Sequence, residues 1–269
     1  MSGPMINIKS TVYFFVTAAI TFAVACGDDQ IITQTGPGID AGSSGTSGTP
    51  GDDDDIAPGN DGGGSSSGAV SCTAQAKTLL SPQSTVSTGS VKIIETAGGV
   101  TKVYVDASAG GSGQSSKNPR VYLKMDGSKV SISDVDAAKS TDWDIAFKRV
   151  DIFTNSGDGG PGKGAGTVAS KKFDDVTAAD ATGLAQEKFF TGDCQPLTDE
   201  GGFLKTTFSS WYDYDQQTHI PTPFLDRTLV MKAADGTLYK VGLLTYQGKD
   251  DGSTTGGQTG QFVFQVKKL

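Results

Sequence analysis

The stretch DWDIAFKRVDIFTNSGDGGPGKGAG, residues 142–166, decides how the chain reads. A strand led by Trp143 runs into an Asn155-Ser156-Gly157 turn, and a glycine-rich loop follows. The eight residues GDGGPGKG at 157–164 satisfy the first seven places of a phosphate-binding P-loop, but Gly164 stands where the magnesium-binding hydroxyl belongs. Gly157, Gly159 and Gly162 also fit a bare G-x-G-x-x-G. Both motifs work only where a helix N-terminus follows to receive the phosphate. Residues 165–173 read instead as strand or irregular chain, so the loop is read as a turn that needs glycine at positive φ.

Outward from this stretch the same strand-and-turn grammar repeats. Residues 91–95 and 100–105 are short β-branched runs parted by Ala97-Gly98-Gly99. Residues 121–125 meet Asp126-Gly127 and continue through 129–133; residues 229–233 meet Asp235-Gly236 and continue through 238–246. Asp-Gly between alternating apolar residues is a strong short-range hairpin signal. At the end of the chain Phe262, Phe264 and Val266 share one face of a half-buried strand, with Gln261, Gln265 and Lys267 on polar positions. Helical composition is confined to residues 175–185 and is interrupted by Gly183. The expectation is one all-β domain, a β-dominated sandwich, over residues 71–269.

The N-terminal part has a different character. Lys9 precedes a short apolar run over residues 12–25, and Ala23-Val24-Ala25 places small residues before Cys26. This reads as a lipoprotein signal peptide, residues 1–25, with Cys26 as the lipidated first residue of the mature chain. Residues 26–70 hold Gly, Ser, Thr, Pro and Asp with hardly a large apolar side chain, and cannot build a core. They are expected to act as a flexible tether reaching about 35–40 Å. Four successive aspartates, residues 52–55, stretch it by mutual repulsion rather than forming a calcium site.

Charge and cysteines fit that division. The chain carries −8 from 22 basic and 30 acidic residues. Lys9 and eight aspartates lie before residue 71, so residues 71–269 hold 21 basic against 22 acidic residues, a net of −1. No basic stripe supports nucleic-acid binding. With Cys26 assigned to lipid, Cys72 and Cys194 are left to pair as a disulfide in an oxidising envelope compartment.

Catalytic chemistry has little to work with. His219 is the sole histidine, so any Ser-His-Asp arrangement must use it; Ser209 and Ser210 lie nearby without nucleophile-elbow spacing. Asp213 and Asp215 alternate with Tyr212 and Tyr214 beside Trp211, a pattern of glycosidase sites and of ordinary solvated strands alike.

Three stretches together resemble the HmuY family of haem-binding lipoproteins. They are residues 142–166, with Trp143-Asp144-Ile145-Ala146-Phe147 and Thr154-Asn155-Ser156-Gly157; Trp211-Tyr212-Asp213-Tyr214 followed by Thr218-His219; and residues 235–246, ending in Leu-Leu-Thr-Tyr. The resemblance implies an all-β, hand-like fold that grips haem between strand-borne loops, captures it at the cell envelope and delivers it to an outer-membrane receptor for iron acquisition. The founder of the family uses two axial histidines, whereas this chain has one. The remaining candidates for the iron are His219 with a methionine, Met125 with Met231, or a single ligand. Trp143, Trp211 and Tyr214 are candidate walls for a flat ligand. The expectation is thus a non-enzymatic, lipid-anchored haem or tetrapyrrole binder. A structural or protein-interaction lipoprotein is the alternative, and an exported hydrolase the third.

Overall fold

β-Branched and aromatic runs broken by tight turns organise the molecule. The computed structural model describes residues 72, 76, 79–108, 117–199 and 202–269. The expected signal peptide (residues 1–25), the expected lipidation at Cys26 and the expected tether (residues 26–70) fall outside the described residues.

A six-stranded antiparallel sheet has the order β1 (Val91–Ala97), β2 (Val100–Asp106), β12 (Gln261–Lys268), β11 (Leu238–Thr245), β10 (Thr228–Lys232), β7 (Ala165–Ala169). A second, four-stranded sheet has the order β4 (Lys129–Val130), β3 (Val121–Leu123), β5 (Ile145–Lys148), β6 (Asp151–Thr154). β8 (Tyr212–Asp215) and β9 (Ile220–Pro223) form a separate hairpin. Gly127 and Gly236 take φ of 90° and 93° in the two Asp-Gly turns, the left-handed region that glycine enters without steric cost. The 175–185 segment holds only 3-10 turns at Phe173–Asp175 and Ala178–Asp180. A four-residue helix, α1 (Asp134–Ala137), forms where Ser133 caps the Asp136 N–H.

The two sheets face each other as a sandwich. Phe147 of β5 lies 5.0 Å from Phe262 and 5.4 Å from Phe264 of β12, ring centre to ring centre. Val103, Val105, Leu229, Met231, Val241 and Leu243 continue this core from the larger sheet. Each fully buried Leu or Phe contributes about 1.5–3 kcal/mol relative to exposure. The outer face of the smaller sheet is covered too: Tyr122, Ala146 and Phe153 pack under Trp143, Phe189 and Phe190. That second burial explains why β3 and β5 are apolar almost without alternation. Cys72 and Cys194 are disulfide-bonded across 122 positions, and Cys72 packs against this second core.

The 142–166 stretch serves as the joint between layers. Asp144 is buried, its Oδ2 accepting the Met125 N–H at 2.9 Å and its Oδ1 the Ala234 N–H at 3.1 Å. Asn155 donates through Nδ2 to the carbonyls of Ser140 (3.0 Å) and Trp143 (2.8 Å), and its Oδ1 accepts the Gly162 N–H at 2.9 Å. A Cβ at Gly160 would stand 2.3 Å from Asn155 Oδ1, and one at Gly162 or Gly164 2.6 Å from the Asn155 carbonyl oxygen. Within this loop only Gly157 has a positive φ, 49°. The expectation of glycines at positive φ is therefore corrected: most of them are there so that the loop can wrap closely around Asn155. β7 follows the loop, so no helix N-terminus meets it.

Candidate functional site

Period-2 alternation sets the β8–β9 hairpin. Tyr212 and Tyr214 are half-buried on one face, and Asp213 and Asp215 are exposed on the other. Trp211 at its root is buried among Tyr212, Tyr246 and Phe262, and donates from Nε1 to the Val150 carbonyl at 3.1 Å. At the tip, Asp215 Oδ1 accepts the N–H groups of Gln217 (2.7 Å) and Thr218 (3.2 Å). Those bonds hold the Asp215 carboxyl below the usual carboxylate range. His219 closes the turn at φ 57°, its N–H bonded to the Asp215 carbonyl at 2.8 Å.

That backbone turn returns the exposed His219 ring toward its own strand. His219 Nδ1 and the Tyr214 hydroxyl lie 3.0 Å apart. Ser209 instead bonds within its own loop, accepting the Thr206 N–H at 2.8 Å. Among the described residues no serine is hydrogen-bonded to His219.

The tyrosine face of the hairpin looks onto an open cleft. This cleft has a volume of about 720 Å³ and runs between the hairpin and residues 198–199 and 203–210. Phe203, Tyr212, Tyr214 and Phe224 wall it, and Lys205 and Arg227 supply positive charge with Asp199 opposite in sign. Phe203 meets Tyr214 edge-on at 6.1 Å, and the Arg227 guanidinium lies 3.8 Å above the Phe224 ring. Burial, then the nearby carboxylates of Asp199 and Asp151, push the Tyr212 hydroxyl up to about 12, so it remains a hydrogen-bond donor at neutral pH.

Glu187 steadies the floor. It accepts from Thr154 N (2.9 Å), Thr207 N (3.0 Å) and Thr207 Oγ1 (2.9 Å), tying β6 to the cleft-lining Thr207. Burial raises its pKa, and these bonds oppose the rise. Sequence reasoning missed Glu187 as well as Phe203, Phe224 and Arg227, which sit in irregular chain without periodicity to mark them.

The structure separates the predicted iron ligands. Met125, 4 % exposed, and Met231, 0 % exposed, are both inside the sandwich core, and neither lines the cleft. Met231 is paired into β10 between two neighbouring strands, and the Met125 N–H is bonded to Asp144. Only His219 stands at the surface beside the cleft-lining Tyr214. Trp143 and Trp211 are likewise core residues, and of the predicted aromatic walls only Tyr214 faces the cleft. No group of three or more His, Cys, Asp or Glu side chains suited to a metal ion occurs among the described residues. No helix among them is long and apolar enough to cross a membrane.

The chain thus combines an antiparallel β sandwich with an open, aromatic-walled cleft beside a separate hairpin. The family model described as HmuY protein matches residues 101–262, and the chain belongs to the HmuY family. Among solved structures, a protein from Bacteroides vulgatus described as HmuY-like and heme binding is 19% identical, with 66% of this chain and 97% of that chain covered at a TM-score of 0.43. A lipoprotein from Bacteroides fragilis is 19% identical over 65% of this chain and 91% of its own, TM-score 0.39. The apo HmuY analog of Tannerella forsythia is 17% identical over 67% and 95%, TM-score 0.34. No curated protein matches the chain.

Proposed function

We propose that this protein captures haem, or a related tetrapyrrole, in the cleft beside the β8–β9 hairpin and hands it on without transforming it. The observation that carries the reading is the cleft itself: about 720 Å³, four aromatic rings and two cations, next to the sole histidine. The volume lies within the roughly 300–1,000 Å³ of ligand sites. The rings offer stacking surface to a flat macrocycle, and Lys205 and Arg227 offer partners to its carboxylates.

His219 is the residue for the iron, as a single protein ligand. With Nδ1 held by the Tyr214 hydroxyl, Nε2 is the nitrogen that remains for a metal, and the Tyr214 bond fixes the ring's orientation. Haem supplies the iron and the macrocycle; the chain supplies walls, counter-charge and one nitrogen. Met125 and Met231 have no part in this reading, because bringing either sulfur to the cleft would require opening the core. Family membership favours the tetrapyrrole over other flat ligands. The signal peptide, lipid at Cys26 and the tether of residues 26–70 complete the proposal as an envelope lipoprotein, with an outer-membrane receptor as the recipient.

The test is a haemin titration of the full chain followed by absorbance, in oxidised and reduced form. One-to-one Soret development that is lost in His219→Gly supports the site, and glycine suits the φ of 57° there. Free-haemin spectra throughout would sink it. Phe203 (42 % exposed) and Leu225 (68 % exposed) favour a second reading, a protein-interaction face at the same place, which would survive that negative result.

A further inference from the structure

A smaller cavity of about 290 Å³ opens beside the β5–β6 turn, separate in its lining from the large cleft except for Phe203. Its charge is unusual. Arg120, Lys148 and Arg149 line it against a single carboxylate, Asp151. None of the three cations forms an ion pair among the described residues.

Arg120 is the centre of the argument. It is 8 % exposed, its guanidinium lies 4.3 Å above the Phe153 ring, and its Nε has no hydrogen-bond partner among the described residues. A buried charged donor left unsatisfied is costlier than a neutral one and persists where something else meets it. The backbone holds it there. Asp134 accepts the Arg120 N–H at 2.9 Å and the Tyr122 hydroxyl at 2.9 Å, fixing the entry into β3.

Arg149 adds an independent sign. It occupies the first place of the two-residue turn between Lys148 and Asp151, which pair across β5 and β6, and its φ is 51°. Glycine is the ordinary occupant of a hairpin position with positive φ. An arginine kept in such a conformation points to a use for its side chain rather than to turn geometry. Burial also lowers the Lys148 pKa and raises that of Asp151, as it must where several charges share little solvent.

We infer that this cavity is an anion-binding site for a carboxylate or phosphate group, clasped by Arg120, Lys148 and Arg149. Guanidinium groups suit such planar or tetrahedral oxyanions through paired N–H donors. The cavity is small for a macrocycle and ample for a single oxyanion or a small polycarboxylate. The group belongs either to a free anion or to a molecule seated in the neighbouring cleft, reached past Phe203.

Thermal unfolding of the full chain in citrate, inorganic phosphate and chloride at matched ionic strength tests the site. A saturable rise in Tm, about 5–10 °C at a hundredfold excess over Kd, is expected with citrate or phosphate. It is lost in Lys148→Gln and in Arg149→Gly. The glycine variant is decisive, because it relieves the φ of 51° and keeps the fold. If free anions give no saturable effect, haemin and its dimethyl ester are compared. Weaker haemin binding in Arg149→Gly, with the ester indifferent to the change, identifies the carried carboxylate. The site is overturned if neither the Tm series nor the haemin series responds to Arg149→Gly and Lys148→Gln. Failure of haemin binding alone leaves the citrate and phosphate arm standing.

Discussion

Asp144 Oδ1 accepts the Ala234 N–H at 3.1 Å across 90 positions of sequence, while the other oxygen of the same carboxylate accepts the Met125 N–H at 2.9 Å. One buried side chain therefore joins the turn after β3 to the turn after β10, one from each sheet. Asp144→Ala leaves two buried N–H groups without an acceptor, each costing about 1–3 kcal/mol. The expected outcome is a loss of about 2–5 kcal/mol in urea unfolding, with the m-value unchanged. An Asp144→Ala protein as stable as wild type would show that water replaces both bonds.

The glycine collar around Asn155 makes a second, sharper prediction. In Gly162→Ala the new methyl stands 2.6 Å from the Asn155 carbonyl oxygen and 2.9 Å from the Ala234 methyl. Nothing lies within 4 Å of a Cβ at Gly192. Gly162→Ala is expected to lower stability by about 1–3 kcal/mol and Gly192→Ala to leave it within about half a kcal/mol. Calorimetric unfolding of both proteins checks the contrast. ATP is expected to shift neither Tm through this loop, since β7 follows where a phosphate site needs a helix.

How far the chain could be read in advance follows from the range of each interaction. The hairpins at Gly127 and Gly236 were legible because turn chemistry and alternation act over four to eight residues. The role of the 157–164 glycines was not, because their constraint is a tertiary approach to Asn155 and has no local signature. Met125 precedes a turn, which in sequence suits a ligand; in the fold it packs in the core, with its N–H bonded to Asp144. The paired tyrosines of β8 were visible by alternation, yet Phe203 and Phe224 join them from irregular chain and could be placed only by the fold. Glu187 had no marker at all: one glutamate in a loop, whose importance lies in Thr154 and Thr207.

Asp151 gives the molecule a pH signature. Burial, opposed by Arg120 and Lys148, pushes its carboxyl up to about 7 from an ordinary 3.8. Between these values the folded chain holds a proton that the unfolded chain has released. The stabilisation is full below about pH 4 and is lost as pH rises through 7, by at most about 4 kcal/mol. Glu187, raised in the same direction, adds to the slope. Urea midpoints measured from pH 4 to 8 are expected to fall with pH, and Asp151→Asn to flatten most of that fall. A midpoint that climbs across this range in wild type would contradict a raised Asp151 carboxyl.

The bond between Tyr214 and His219 separates positioning from ligation. Tyr214→Phe keeps the ring in the cleft wall and removes only the hydroxyl that holds His219 Nδ1 at 3.0 Å. If His219 binds the iron through Nε2, losing this partner frees the ring to rotate and weakens haemin binding about 10-fold, on the scale of other outer-shell partners of metal-ligating histidines. The Soret position should stay that of a histidine complex, because the ligand atom is unchanged. His219→Gly should abolish the spectrum itself and leave the melting curve almost untouched, since the residue is exposed and already at φ 57°. The opposite pattern, a changed spectrum in Tyr214→Phe and an unchanged one in His219→Gly, would move the iron from the histidine to the tyrosine oxygen. That outcome would keep the cleft and reassign its ligand, with His219 left to accept the phenol proton.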